Sequence, residues 1–322
     1  MVGSGVGKNK YAIVMTATGG LLPGVNSFLN GLDYYENGVD FHLIGDEHVQ
    51  QYIRDNEKAL ENVSFRLFFK SISDLRESWE FPSRKKGGWQ VRFFRYRWAQ
   101  KIRDRYEAIL IVDADMICLN NLMDKFREAK ETGLIIQPDN PVGYSLERIK
   151  EIGISPIRGA SSPPFHNMPL FLDVRKWNSL LDRLWYWGIR EDWGDMSTLF
   201  RTEFRENVLD QVRLIPNDLW LLEVFYKDML RRVTKNGKIY LVTTDNREIR
   251  TVHKRWFLSD LCEKRVKDIK ETDNYRRGKN NVMLFWEEFR RLNLEHKLKD
   301  TGAAKRGFSW RKPNLKPGEL RS

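Results

Sequence analysis

The feature that most constrains this chain is the apolar run Ile-Leu-Ile-Val at residues 109–112, which continues directly into Asp113, Ala114 and Asp115. Such a run is typical of a strand buried on both faces at the centre of a parallel sheet. Ligands of open α/β sheets bind at the carboxyl ends of strands, where this acidic pair lies. Alternate residues of an extended chain share a face, so the two carboxylates could hold one divalent cation, Mn²⁺ or Mg²⁺. The alternative is that Asp115 caps a helix starting near Asn120.

Strand and helix patterns alternate before this run. They predict strands at residues 11–18, 39–45 and 63–69, with helices at 22–37 and after Asp46. This order favours a mostly parallel, Rossmann-like sheet flanked by helices. A length of 322 residues fits one large α/β domain, or one domain with an appendage.

The same patterns divide the rest of the chain. A helix at residues 89–105 is predicted to turn Val91, Phe94, Trp98 and Ile102 toward the core. Further helices are predicted at 122–130, 174–188, 203–212 and 219–233, and further strands at 133–137, 168–172 and 239–243. Residues 138–164 are rich in Pro, Gly and Ser and predict a long loop, and residues 253–256 are assigned to a loop.

The net charge of +11 is concentrated in two regions. Residues 264–322 contain 17 Lys or Arg against eight acids, and residues 84–105 contain nine against one. Fields of this kind attract phosphates, nucleic acid or anionic membranes, unless they serve only solubility. From residue 264 the chain is predicted to be helical and basic, and from residue 301 it has few apolar residues and predicts a loose tail.

The sequence also indicates a compartment. No apolar run reaches the roughly 20 residues that a membrane-spanning helix needs, and the first ten residues contain no apolar signal segment. Two cysteines, Cys118 and Cys262, suit a reducing environment. We therefore expect a cytoplasmic protein, with a peripheral position at a membrane or on nucleic acid as the variant that the basic regions allow.

Several segments, in order along residues 10–260, resemble motifs of the GT-A glycosyltransferases. They are residues 13–18 followed by Leu-Pro-Gly at 22–24, the arginine-containing helix leading into Asp-x-Asp at 113–115, the segment 165–177, Leu-Asp-Gln at 209–211, and His253. The chain is most similar to the retaining family eight, which includes glycogenin and the bacterial lipopolysaccharide hexosyltransferases. The resemblance implies a GT-A catalytic domain at residues 1–263, and leaves 264–322 as a basic helical C-terminal extension and tail.

The resemblance also implies roles for individual residues. The metal ligands would be Asp113, Asp115 and His253. The nucleotide-sugar site would include Thr16, Ala17, Thr18, Arg92, Arg95, Asp113, Ala114 and Asn167. Counting back from Trp177 places His166 at the family's Asn position, and a shift of one residue places Asn167 there. Asp210 and Gln211 would be catalytic, stabilising the oxocarbenium-like transition state.

Two of these assignments have simpler alternatives. Asp210 and Glu206 are four residues apart and could face water together beside Arg213 on a helix. His253 could be an ordinary hydrogen-bonded loop histidine.

The implied function is a metal-dependent, retaining hexosyltransferase that transfers sugar from a UDP-sugar to a hydroxyl acceptor. The basic regions suit a hydroxylated base in DNA, or an anionic glycolipid or lipopolysaccharide, as the acceptor. One rival is a nucleic-acid-binding protein with a degenerate sugar-nucleotide fold. Another is a haloacid-dehalogenase-like phosphatase, but its Asp-x-Asp motif normally belongs to the first strand, whereas roughly a hundred residues precede the motif here.

Overall fold

Strand β4 (Ala108–Asp113), which carries the first aspartate of the motif, is the middle strand of a seven-stranded sheet. The structure is a computed structural model that describes residues 9–78, 88–133, 135–138, 170–173, 176–190, 206–215, 229–253 and 275–303. In β4 the residues before Asp113 are all buried, as the apolar run predicts. The predicted central strand is confirmed.

The sheet has the strand order β3-β2-β1-β4-β7-β6-β8. Its other members are β1 (Tyr11–Ala17), β2 (Asp40–Gly45), β3 (Arg66–Ser71), β6 (Ile135–Pro138), β7 (Leu170–Leu172) and β8 (Val212–Ile215). Strands β1 to β4 are mutually parallel, and only β7 runs against its neighbours β4 and β6. The predicted α/β class with a mostly parallel sheet is therefore confirmed.

Two small antiparallel sheets accompany the main one. Strand β5 (Met116–Cys118) pairs with β11 (Thr251–His253), and β9 (Arg231–Lys235) pairs with β10 (Lys238–Val242). Strand β5 begins immediately after Asp115, so the sheet that it forms with β11 lies next to the acidic motif.

The helices of the described ranges bury apolar residues against the sheet or against one another. They are α1 (Leu22–Tyr34), α2 (Glu47–Asp55), α3 (Glu57–Leu60), α4 (Ile72–Ser78), α5 (Gly88–Ile102), α6 (Met123–Thr132), α7 (Asn178–Arg190) and α8 (Tyr275–Leu294). In α5 the predicted core residues Val91, Phe94 and Ile102 are buried, whereas Trp98 is only partly buried. None of the helices in the described ranges is long and apolar enough to cross a membrane.

Three predictions of local structure are wrong. In the described part of the predicted helix 203–212, residues 206–212, the helical structure is a single 3-10 turn, Leu209–Gln211, and Val212 begins β8 by pairing with Ile135 of β6. The predicted helix 219–233 is wrong at its end, because residues 231–233 belong to β9, and Asn236 and Gly237 take positive φ where β9 turns back onto β10. Residues 219–228 of that prediction lie outside the described residues. His253 belongs to β11 and not to a loop.

The described part of the C-terminal region, residues 275–303, packs against α1. Asn26 of α1 donates a hydrogen bond to Asn293 (2.8 Å), and Asn30 donates to the carbonyl oxygens of Leu292 and Leu298 (2.8 and 2.9 Å). Leu298 is fully buried. This part of the predicted extension is therefore joined to the sheet domain by buried contacts. The tail at 304–322 lies outside the described residues.

Candidate metal centre and donor site

The metal motif consists of two carboxylates at a strand end and one histidine from a distant strand. Asp113 is the last residue of β4, and Asp115 lies in the two-residue turn that leads into β5. Strand β11 places His253 opposite Met116. His253 Nε2 lies 3.2 Å from Asp113 Oδ2 and 3.1 Å from Asp115 Oδ1. Residues separated by 138 positions thus meet at one point.

Asp115 does not cap the following helix. Helix α6 begins at Met123, and the backbone N–H group of Met123 donates a hydrogen bond to Asn121 Oδ1 (2.9 Å), not to Asp115. The carboxylate of Asp115 instead faces His253. Of the two interpretations of this aspartate, the structure supports the metal-site one.

Arg95 of α5 holds the first carboxylate in place. Its guanidinium pairs with Asp113 Oδ1 and donates a hydrogen bond to the carbonyl oxygen of Val112 (3.1 Å). Arg95 is 1% exposed, so its guanidinium lies beneath the motif. A charge-assisted contact from such a fixed group restricts the rotamer of Asp113. Arg92 lies one turn earlier on α5 and is partly exposed.

Neighbouring charges shift the pKa values of Asp113 and His253 in opposite directions. Burial alone raises the pKa of Asp113, but the Arg95 guanidinium and the His253 imidazole hold it well below its usual range. Burial lowers the pKa of His253, whereas Asp115 and Asp113 together raise it to about 10. His253 is therefore an imidazolium at neutral pH, and a metal ion that binds here displaces its proton.

The donor set fits a single divalent cation. One ligand atom from each of Asp113, Asp115 and His253 lies within 4.8 Å of the others. Their side chains are 22, 17 and 15% exposed, so an ion can reach them from solvent. Two carboxylates with one imidazole suit Mn²⁺. They suit Mg²⁺ less well, because Mg²⁺ prefers oxygen ligands.

The predicted nucleotide-binding residues of β1 lie beside this centre. Thr16 is level with Asp113 in the parallel pairing of β1 and β4, and Ala17 and Thr18 follow at the same edge of the sheet. Thr16 is 8% exposed, and its hydroxyl oxygen has no hydrogen-bond partner within the described part of the chain. A buried hydroxyl without a partner costs about 1–3 kcal/mol, which a bound ligand can recover.

Helix α1 approaches the motif closely through two glycines. A Cβ added to Gly24 would lie 2.1 Å from the carbonyl oxygen of Ala114, and one added to Gly31 would lie 2.2 Å from that of Cys118. Only glycine fits at these two positions. The backbone of residues 114–118 therefore rests directly on α1.

Asp210 and Gln211 do not join the metal centre. They immediately precede β8, which runs in the same direction as β4, so they lie at the opposite end of the sheet from Asp113. Arg213 pairs with Glu128 (2.6 Å). The catalytic role of Asp210 and Gln211 stays a prediction. Asn167 and its neighbour His166 lie outside the described residues.

Sequence reasoning missed the residues that support the centre. Asp46 accepts hydrogen bonds from the backbone N–H groups of Gly19 (2.9 Å) and Val49 (3.1 Å), which ties the loop after β1 to the start of α2. Glu248 and Arg250, before β11, bind the segment that follows β5. The helix N-cap pattern at Asp46 was the only local signal among these.

Comparisons with known proteins bear on the fold. No family model and no curated protein matches the sequence. Among solved structures, the galactosyltransferase LgtC, in complex with donor and acceptor sugar analogues, is similar with a TM-score of 0.50 and 12% identity, over 84% of this chain and 95% of that one. The bifunctional glycosyltransferase WbbM is similar with a TM-score of 0.50 and 12% identity, over 87% of this chain.

The chain spans 50% of the length of WbbM. It also matches the glycosyltransferase GlyE of Streptococcus pneumoniae TIGR4, with a TM-score of 0.42 and 17% identity, over 64% of this chain and 45% of that one. The likeness to LgtC extends over 95% of that chain. This chain has the fold of the GT-A glycosyltransferases.

Proposed function

We propose that this protein is a metal-dependent glycosyltransferase that uses a nucleotide-sugar donor. The observation that carries the proposal is the convergence of His253 on Asp113 and Asp115 at the carboxyl end of the central strand. The GT-A fold of the similar structures agrees with it. An ordinary loop histidine would have no reason to lie within hydrogen-bond distance of both motif carboxylates.

The described residues would have different roles in donor binding. Asp113, Asp115 and His253 would hold the cation, which when bound supplies charge neutralisation for the departing diphosphate. Arg95 keeps Asp113 oriented and ionised. The Thr16 hydroxyl, which has no hydrogen-bond partner among the described residues, lies one strand away and offers a hydrogen bond to the nucleotide. Fixed charges prepared in this way are often the largest catalytic contribution.

The donor and the stereochemistry are finer parts of the proposal. We infer a UDP-sugar, Mn²⁺ as the ion, and retention of anomeric configuration. The order of motifs along residues 10–260 and the donor set of the centre support these three points. Arg92, Ala114 and Asn167 remain proposed donor contacts. The catalytic role proposed for Asp210 and Gln211 rests on the family resemblance alone, since their turn precedes β8 at the other end of the sheet. The metal site depends on none of these residues.

Donor hydrolysis with water as the acceptor tests the function without knowledge of the natural acceptor. Purified protein is incubated with UDP-, GDP-, TDP- and ADP-sugars and Mn²⁺, and release of the nucleoside diphosphate is measured. We expect release from at least one donor, loss of release in EDTA, and recovery with excess Mn²⁺. Asp104→Asn serves as a control, because Asp104 is exposed and precedes β4 at its other end. Absence of both turnover and binding for every donor would contradict the proposal.

The same preparation separates the competing functions. The uneven basic charge favours a nucleic-acid-binding protein as the second candidate. That candidate predicts salt-sensitive DNA binding with no consumption of any nucleotide sugar. A phosphatase would instead hydrolyse p-nitrophenyl phosphate.

We further propose that the basic C-terminal region contacts a polyanionic acceptor, either DNA with hydroxylated bases or an anionic glycolipid. Residues 304–322 carry six Lys or Arg against one acid. Truncation should follow Ala303, which is 2% exposed and belongs to the packed segment. Donor hydrolysis should survive the cut, while transfer to the polyanion weakens and its salt dependence becomes shallower. Unchanged transfer with an unchanged salt dependence would contradict this assignment.

A further inference from the structure

His253 is the last residue of β11, which is a very short strand. It contains three residues, and its ladder pairs Thr251, Val252 and His253 with Cys118, Ile117 and Met116 of β5. A shift of one residue in such a pairing turns every side chain to the other face. Three residues supply few ladder hydrogen bonds to prevent that shift. The register of β11 therefore needs support from outside the strand.

Arg250 provides this support immediately before the strand. Its guanidinium donates hydrogen bonds to the carbonyl oxygen of Asn121 (2.6 Å) and to Asp124 Oδ2 (2.9 Å). Its own carbonyl oxygen accepts a hydrogen bond from the N–H of Leu119 (2.9 Å). The side chain is 21% exposed, so solvent only partly weakens these charge-assisted contacts.

Glu248 makes a second connection to the same segment. It accepts a hydrogen bond from Asn120 Nδ2 (2.8 Å) through one oxygen and pairs with Lys235 of β9 (2.6 Å) through the other. Together Glu248 and Arg250 contact Asn120, Asn121 and Asp124. Both side chains therefore bind the segment that leads from β5 into α6.

The segment that these residues hold is itself fixed to the residues at the C-terminal end of α1. Asn121 Nδ2 donates a hydrogen bond to the carbonyl oxygen of Tyr35 (3.0 Å), and Asn37 accepts one from the N–H of Leu122 (2.7 Å). Helix α1 in turn carries Gly24 against Ala114 of the metal motif. Arg250 thus links β11 to the same frame that supports the two carboxylates.

We infer that Arg250 is a positioning residue that sets the register of β11 and thereby holds His253 over Asp113 and Asp115. Glu248 assists it. This inference rests on the proposed metal site and adds a residue that does not touch the cation. Loss of the Arg250 contacts leaves all three proposed ligand residues in the chain. It removes only the contacts that hold His253 of β11 in position.

The test measures Mn²⁺ affinity of the full chain by calorimetry, independently of turnover. Arg250→Ala should weaken Mn²⁺ binding about tenfold, within the range seen when residues that orient metal ligands are removed. Arg247→Ala is the matched control, because Arg247 lies in the same segment but pairs with Asp245, two residues away (2.7 Å). It should bind Mn²⁺ as the wild type does. If Arg250→Ala does not fold, Arg250→Lys, which can keep one of the two contacts, should show a smaller loss.

A double-mutant cycle with His253→Ala distinguishes positioning from general destabilisation. In the His253→Ala background, Arg250→Ala should cause no further loss of Mn²⁺ affinity, since the ligand it positions is absent. An equal loss in both backgrounds, or wild-type affinity in Arg250→Ala, would overturn the inference. Failure of the wild type to bind Mn²⁺ would instead overturn the metal site of the proposed function.

Discussion

The central sheet carries two polar clusters at opposite ends, and each contains a histidine. The amino-end cluster is formed by Asp40, His42, Arg66, Trp98 and Tyr106. Asp40 accepts two hydrogen bonds from Arg66 (both 2.8 Å) and one from the Tyr106 hydroxyl (2.8 Å). His42 Nε2 lies 2.8 Å from that hydroxyl, and its Nδ1 accepts a hydrogen bond from Trp98 (3.2 Å). Every charge here has a permanent partner from the chain.

The carboxyl-end cluster contains Asp113, Asp115 and His253. Two carboxylates here share one histidine, and Arg95 pairs with only the first of them. Its histidine is positively charged, with a pKa raised to about 10, whereas burial lowers the pKa of His42 to about 4 and keeps it neutral. The same residue type is thus held in opposite protonation states in the two clusters.

The difference separates a structural cluster from a binding site. In the amino-end cluster the donors and acceptors satisfy one another, so a ligand would gain nothing by entering. In the carboxyl-end cluster the excess of negative groups is balanced by a proton that a metal ion can replace. The comparison predicts that equivalent substitutions at the two ends have different consequences.

The largest effect is expected from Asp115→Asn set against Asp40→Asn. Asp115→Asn should reduce Mn²⁺-dependent donor turnover by at least about a hundredfold, because it removes a proposed metal ligand, and should leave the melting temperature nearly unchanged. Asp40→Asn should lower the free energy of unfolding by roughly 2–4 kcal/mol, since it breaks a buried ion pair, with little change in turnover per folded molecule. The measurements are steady-state kinetics and urea unfolding.

Two results from Asp115→Asn and Asp40→Asn would contradict the different roles assigned to the two clusters. Loss of stability without loss of turnover in Asp115→Asn would make the carboxyl-end cluster structural. Loss of turnover in a folded Asp40→Asn protein would show that the amino-end cluster also contributes to function.

A smaller effect is expected from Gly24→Ala, which disturbs only the carboxyl-end cluster. The added methyl group would meet the carbonyl oxygen of Ala114 and displace the metal motif. Gly31→Ala is the control, because its methyl group would meet the carbonyl oxygen of Cys118 on the same helix, farther from the carboxylates. Both should cost about 1–3 kcal/mol of stability. Only Gly24→Ala should also weaken Mn²⁺ binding, and equal Mn²⁺ affinities would show that α1 does not position the motif.

The smallest effect concerns pH and the amino-end cluster. The folded pKa of His42, about 4, lies below the ordinary value of 6.5, so the unfolded chain binds the extra proton as pH falls between them. The neutral His42 side chain therefore contributes its full stabilisation of the folded state above pH 6.5. This contribution is lost as the pH falls toward 4. Wild type should lose about 1–3 kcal/mol more than His42→Gln between pH 7 and pH 4.5 in urea unfolding. Parallel pH profiles would mean that His42 is not held neutral.

The sequence by itself determined the central strand and its acidic end. The run of apolar residues at 109–112 predicts β4 because a strand buried on both faces carries that pattern in consecutive residues. The alternation of strands and helices through residue 71 and the buried face of α5 were also encoded locally. The site follows from these elements as far as Thr16, Asp113 and Asp115, since parallel strands bring their carboxyl ends to one edge.

Only the tertiary structure decided how His253, Arg95 and Gly24 meet the motif. Strand β11 is three residues long, too short to carry a periodic signal, and its register depends on Arg250 reaching residues 121 and 124. The contact of Arg95 with Asp113 and that of Gly24 with Ala114 likewise depend on how α5 and α1 pack on the sheet. Such contacts join residues distant in sequence and form only when the whole chain is packed, so no local pattern records them.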